Sequence, residues 1–219
     1  MIFIPMAILS FLFLLLSLPL LFFLGYLNIL TAGFQQLGIS PETTLFILFC
    51  ILIGSTINIP LTKRKTYLSK ENHFFGLFSK PVMKVNQVTI NLGGAVIPIL
   101  LAFYFLFQTY NQGFSLFKVL IAVVLMTAIA KSYSRVIPGK GVVLPVFIPP
   151  LFSALFSFLL MPNFAAPCAF ISGVLGSLIG ADLLNLKKMQ KTGGFISIGG
   201  AGVFDGIFLT GIVSALISV

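Results

Sequence analysis

Residues Phe3–Leu30 read FIPMAILSFLFLLLSLPLLFFLGYLNIL, 28 positions without a single charge. A bilayer core about 30 Å thick needs about 20 helical residues at 1.5 Å each, so this run is long enough to cross it. It exceeds the roughly 7–15-residue apolar core of a signal peptide and lacks a basic leading region, so a retained helix is expected. The rest of the chain carries the same character. Of 219 residues, 58% are hydrophobic and 8% charged, against about 25% charged in soluble domains. An ordinary soluble globule, a disordered chain and a disulfide scaffold are excluded. The two cysteines, Cys50 and Cys168, sit inside apolar runs, and His73 is the single histidine. Neither has metal-ligand spacing, so no metal and no cofactor are expected.

Working outward from the first run, apolar stretches bounded by polar, Pro or Gly clusters give seven candidate spans, at approximately 3–30, 44–61, 86–110, 114–131, 142–162, 167–186 and 197–218. The expected fold is an all-α, polytopic transmembrane helix bundle of about seven spans forming a single domain, 1–219. Basic residues set its orientation, because Lys and Arg are retained on the cytoplasmic side of short loops. Twelve of the 13 bases fall in alternate loops: Lys63, Arg64, Lys65, Lys70, Lys80 and Lys84, then Lys131, Arg135 and Lys140, then Lys187, Lys188 and Lys191. Only Lys118 lies toward the other face. This pattern predicts a cytoplasmic N-terminus and an external C-terminus in the plasma membrane. The net charge of +9 then marks topology and contact with anionic leaflet lipid, and nucleic acid is not an expected partner. The long loop at about 62–85 mixes aromatics with charge and is expected to lie along the interface as a short amphipathic turn.

A charge inside a span costs about 2.5–3.5 kcal/mol on insertion scales, which makes an intramembrane acid a functional candidate. The chain has four acids, Glu42, Glu71, Asp182 and Asp205. Asp182 falls near the end of the sixth span and Asp205 in the seventh, both in the cytoplasmic half of sequential antiparallel helices. Asn58, Asn86, Asn91, Tyr133, Arg135 and Asn185 are expected near the same end as substrate- or ion-binding residues, with Gly202 and Gly206 beside Asp205. Proline and glycine interruptions predict a wet cavity there, because broken helix at membrane depth is tolerated only where it is buried in protein or lines a cavity. Small residues also have a packing use. Gly176-x-x-x-Gly180 and Gly202-x-x-x-Gly206 have the spacing that brings helix backbones together, so spans six and seven can simply pack closely. Asp182 pairing with Arg135 or Lys187 is the corresponding structural role.

Gly54-Ser-x-Ile-Asn-Ile-Pro60, Asn91-Leu-Gly-Gly94, Ile179-Gly-Ala-Asp-Leu-Leu-Asn-Leu186 and Ser197-Ile-Gly-Gly-Ala-Gly-x-Phe-Asp-Gly-Ile-Phe-Leu-Thr-Gly211 resemble the domain-of-unknown-function 1614 family of prokaryotic membrane proteins. More distantly, Asp182-Leu-Leu-x-Leu and Gly-x-Gly-x-x-Asp205-x-Ile-Phe are similar to the two catalytic helices of the presenilin-type aspartyl intramembrane proteases. That resemblance implies Asp182 as the first catalytic aspartate, Asp205 as the second, and a membrane peptide as substrate. Ala181 stands where those proteases usually have Tyr, and two residues separate Gly202 from Asp205. From the residues alone, three uses of the acids stay open: acid–base hydrolysis by a proton-sharing pair, coupling of Na⁺ or H⁺ to transport of a small solute, and noncatalytic membrane assembly.

Overall fold

The run Ala165–Ser177, AAPCAFISGVLGS, explains the architecture. It is rich in small residues and apolar on every side, and a helix apolar all round belongs inside a bundle. In the structure, a computed structural model describing residues 31–35, 37–73, 78–137, 141–192 and 194–200 together with Asn28 and Val213, this segment is the central helix. Every residue of it except Leu175 is buried.

Five helices and six strands position the site. The helices are α1 (Pro41–Gly54), α2 (Leu92–Asn111), α3 (Leu116–Tyr133), α4 (Ile148–Leu160) and α5 (Pro162–Gln190). The strands are β1 (Asn58–Pro60), β2 (Lys65–His73), β3 (Phe78–Asn91), β4 (Arg135–Ile137), β5 (Gly141–Val143) and β6 (Gly194–Ile198). Helices α2, α3 and α4 pack around α5. Gly176 and Gly180 make the α3 contact possible: a Cβ on Gly176 would lie 2.6 Å from Met126 Cβ, and one on Gly180 would strike Thr127 O. The spacing Gly176-x-x-x-Gly180 therefore serves packing against the fourth predicted span, while Gly202-x-x-x-Gly206 lies outside the described residues. On α2, Phe105 meets Phe170 edge to face with ring centroids 5.1 Å apart. The outer faces carry Phe46, Phe49, Phe103, Phe107, Leu120, Val124, Phe158 and Leu159, all exposed. Exposed apolar side chains over a buried small-residue helix are the arrangement of a protein solvated by lipid.

Among the described residues three helices, α2, α3 and α5, are long and apolar enough to cross a membrane, while α1 and α4 have 14 and 13 residues. The shortfall has a local cause in each case. The predicted span 44–61 stops being helical at Gly54 and re-enters order as β1. The predicted span 86–110 opens with the end of β3, and its helix starts only at Leu92. Hydropathy alone cannot separate these, because Val88 and Ile90 alternate with polar neighbours as a strand requires yet raise the average as a helix would. The predicted span 142–162 begins with β5, and Pro149 and Pro150 sit where helix α4 starts, at positions whose missing N–H costs nothing. The spans at 114–131 and 167–186 correspond to α3 and to the interior of α5. The run 3–30 and most of 197–218 lie outside the described residues.

The all-α expectation is also corrected. The segment predicted as an interfacial turn at about 62–85 is largely sheet: β2 pairs antiparallel with β3 from Lys65 opposite Asn86 to His73 opposite Phe78. Strand β1 continues the same edge, with Asn58 opposite Asn91 and Pro60 opposite Thr89. Between them Leu61–Arg64 bulge outward, stitched by Leu61 N–H to Val88 O at 2.9 Å and Val88 N–H to Thr62 Oγ1 at 2.9 Å. Thr89 pairs with both Pro60 and Ser197, so β6 runs parallel to β3 on its opposite edge. A smaller hairpin joins β4 to β5. Short connections at 112–115 and at Met161 make successive helices antiparallel. As a result the C-terminal ends of α1, α3 and α5, the N-terminal ends of α2 and α4, and both sheets share one end of the bundle.

Candidate functional site at the broken end of α5

Asn91 is the last residue of β3 and the cap of α2. It is fully buried, and its position follows from a tight crossing: a Cβ on Gly93 would overlap Ile51 O and lie 2.5 Å from Ser55 N, so α1 and α2 meet backbone to backbone. Asn91 Oδ1 accepts from Gly94 N–H at 2.7 Å, an N-cap. Its Nδ2 donates to Ser55 O at 2.8 Å and to Asn58 Oδ1 at 3.3 Å. Asn58 Oδ1 also faces Ser197 Oγ at 2.7 Å, and that hydroxyl lies 2.6 Å from Gly200 O. A serine has one proton to give. Asn58 Oδ1 and Gly200 O therefore compete for it, and the node holds more acceptors than donors.

Asp182 stands one short step away. Helix α5 loses regularity at Ser177: Leu178–Asp182 form a π turn and Leu183–Asn185 a 3₁₀ turn. The N–H of Leu183 reaches both Ile179 O and Leu178 O, as expected where a helix widens. Such widened turns are frequent at functional positions. Asp182 is partly buried at the junction, and its Oδ2 accepts from Gly199 N–H at 2.8 Å. Gly199 and Gly200 have φ of +79° and +72°. A Cβ on Gly199 would also sit 2.5 Å from Ala95 Cβ, so only glycine lets this turn lie on the start of α2 and present its amide to Asp182. Among the described residues, the other carboxylate oxygen has no hydrogen-bond partner and Asp182 forms no ion pair, neither with Arg135 nor with Lys187.

A third cluster lies one turn along. Asn185, 3% exposed, donates from Nδ2 to Ser134 Oγ at 2.7 Å and to Ala181 O at 2.8 Å. Its Oδ1 receives Lys131 Nζ at 2.6 Å, and the same ammonium donates to Leu184 O at 2.9 Å. Ser134 closes the ring on Lys131 O at 3.0 Å.

A family model described as a protein of unknown function, DUF1614, matches residues 52–217 and so takes in all three clusters. The chain belongs to the DUF1614 family. No curated protein and no solved structure matches it. Of the residues predicted for its site, this DUF1614 protein brings Asn58 and Asn91 into one network, with Asp182 joined to it through the Gly199–Gly200 turn. Asn185 belongs to the adjacent cluster. Tyr133 ends α3 and is exposed, and Arg135 is exposed in β4 opposite Val143. The backbone of Asn86 lies in β3 between Lys65 and Gly194. Asp205, Gly202 and Gly206 lie outside the described residues.

Sequence reasoning missed Ser55, Ser197, Ser134 and the structural use of Lys131, which it spent on topology. Ser197 was findable in part, since it precedes the double glycine in Ser197-Ile-Gly-Gly200. Gly199 carries no side chain to signal its use, yet its amide is the contact that holds Asp182.

Proposed function

We propose that this integral membrane protein carries an intramembrane acid–base site in which Asp182 and Asp205 hydrolyse a peptide bond. The observation that supports it is the bond from Gly199 N–H to Asp182 Oδ2 at 2.8 Å. It ties the first acid to the segment Gly199-Gly-Ala-Gly-Val-Phe-Asp205 that leads, six residues on, to the second. Two neighbouring carboxyls do not both ionise cheaply and so share a proton. The ionised one takes a proton from water as the water oxygen adds to the carbonyl carbon. The protonated one delivers its proton to the carbonyl oxygen; the carboxyl that took the water proton then gives it to the leaving nitrogen while the other takes one back from a hydroxyl, and collapse of the tetrahedral intermediate releases a carboxylic acid and an amine. One oxygen of Asp182 is oriented by Gly199, leaving the other to face water or substrate. In this reading the chain is a single domain, 1–219, of about seven spans in the plasma membrane. Its N-terminus is cytoplasmic, its C-terminus external and its acids lie toward the cytoplasm.

The test is cleavage of apolar helical reporter peptides by the purified protein in nanodiscs. Asp182→Asn and Asp205→Asn should each abolish it, and a peptide bearing a secondary alcohol in place of the scissile carbonyl should compete, because it imitates the tetrahedral intermediate. Cleavage surviving either substitution would sink the proposal.

A second reading rests on the surplus of acceptors around Ser197. Asn58 Oδ1, Gly200 O and the unpaired oxygen of Asp182 offer the oxygen ligands that a coupling cation takes from unwound helix. Sodium-dependent solute uptake into proteoliposomes, lost in Asp182→Asn while peptide cleavage is absent from the wild type, would favour transport over hydrolysis.

A further inference from the structure

The Lys131 cluster is not used by either reading. Lys131 lies in the last turn of α3, where a cation complements the helix dipole, yet its ammonium reaches across to α5. Holding a lysine in one geometry sacrifices rotamer freedom, so a fixed lysine is normally matched to an acid. Here both acceptors, Asn185 Oδ1 and Leu184 O, are neutral. The nearest acid in sequence, Asp182, accepts from Gly199 instead. An ammonium has three donors, and among the described residues protein atoms take two.

The anchoring is rigid. Asn185 is buried and uses both of its donated bonds on Ser134 and Ala181, so its Oδ1 cannot turn away from Lys131. Arg135 follows Lys131 by four residues and Lys187 and Lys188 follow its partner Asn185 by two and three, all exposed, in a chain with 13 bases and four acids. Among the described residues no acid pairs with this ammonium, which leaves room for a counter-charge from outside the protein. The neighbouring surface says what carries it: Tyr133 is 47% exposed, Leu183 44% and Leu184 52%. A greasy surface beside a fixed cation, on the end of the bundle where a helix leaves the bilayer, fits a ligand that is apolar below and anionic above.

We propose that Lys131, held by Asn185 and flanked by Arg135, Lys187 and Lys188, binds the phosphate of an anionic phospholipid whose acyl chains lie against Leu183 and Leu184. The site is independent of the chemistry assigned to Asp182 and stands or falls separately from it. The lipid phosphate takes the remaining Lys131 donor, while the three exposed bases add attraction of about 1 kcal/mol each.

The experiment is native mass spectrometry of the full chain released from phosphatidylcholine nanodiscs doped with phosphatidylglycerol. The wild type should retain phosphatidylglycerol over phosphatidylcholine. Lys131→Gln should weaken that preference about five-fold, Lys131→Arg should preserve it, and Lys118→Gln, at the other end of α3, should leave it unchanged. Melting in phosphatidylcholine alone reports whether Lys131→Gln folds. If it does not, the double variant Lys187→Gln/Lys188→Gln, which alters only exposed side chains, should lower the preference at least two-fold. A wild-type preference that survives these changes, or that falls equally with Lys118→Gln, overturns the proposal. Displacement of the lipid by soluble glycerol phosphate at equal concentration would make the site one for free phosphate and overturn the lipid assignment. Asp182→Asn should leave lipid retention intact.

Discussion

The two halves of α5 solve different problems with one helix. From Ala165 to Ser177 the helix is regular, almost wholly buried and in contact with three neighbours through small side chains. From Leu178 to Asn185 it widens into a π turn, tightens into a 3₁₀ turn, and holds Asp182 and Asn185 against polar partners. Regular helix satisfies its own backbone and asks of its surroundings only shape. Irregular helix frees carbonyls and re-aims side chains, and at membrane depth it must find partners in protein or water. The first half should therefore be sensitive to volume and indifferent to polarity, and the second the reverse.

The largest expected effect tests where that boundary falls. Gly180 lies within the π turn but packs like the regular half, with Thr127 O and Ala130 Cβ occupying the place of any side chain. Gly180→Val should destabilise by about 3 kcal/mol or more, since backbone cannot move aside as a flexible side chain would. A lowered thermal midpoint in detergent is the readout. An unchanged midpoint would mean that α3 and α5 separate easily and that close packing does not hold this end together.

Asn185→Ala comes next. It strands Ser134 Oγ and one donor of Lys131, so a loss of about 1–3 kcal/mol is expected, against less than about 0.5 for Asn163→Ala at the exposed start of α5. Equal losses at both ends would remove the contrast between the halves.

Asp182 separates acceptor from charge. Asp182→Asn retains an oxygen for Gly199 N–H, whereas Asp182→Leu does not. Exchange of the Gly199 amide should accelerate about five-fold in the leucine variant, equivalent to about 1 kcal/mol, and stay near wild type in the asparagine variant. Faster exchange in both would show that the charge, not the bond, holds the turn, and would tie the fold of this segment to the acid proposed for catalysis.

These contrasts also explain what could be read from residues alone. The apolar runs gave a membrane bundle because lipid solvation leaves no other place for them; α3 falls close to its predicted limits, while α5 runs past 167–186 at both ends. The sheet was invisible for a physical reason: β2 and the outer part of β3 are polar, and a window tuned to apolar length passes over alternation. Asn58 and Asn91 stood out because an amide inside an apolar run has to be satisfied by something nearby. What satisfies them, Ser55 O, Ser197 Oγ and Gly94 N–H, comes from segments up to 139 residues apart and depends on Gly93 and Gly199 admitting backbone contact. No local pattern encodes that. The second role of Lys131 is hidden for a related reason. A base at a helix end serves topology in any membrane protein, and only the buried amide of Asn185 distinguishes this one.

The smallest expected effect probes the last residue of the regular half. Ser177 is 2% exposed and its Oγ has no hydrogen-bond partner among the described residues, although a serine inside a helix ordinarily returns its hydroxyl to a carbonyl of the preceding turn, as Ser172 does to Ala169 O at 3.3 Å. A buried hydroxyl without a partner keeps its desolvation cost and gains nothing, so removing it should be neutral or stabilising. Ser177→Ala is expected to leave the melting midpoint unchanged or raise it by the equivalent of up to about 1 kcal/mol. The nearby Gly176 contact with Met126 leaves little room for the chain to relax, which argues that the gain is small rather than absent. A loss above about 1 kcal/mol would instead mean that Ser177 bonds to a group beyond the described residues. The polar half of α5 would then begin one turn earlier, and Ser177 would join Asp182 as part of the site.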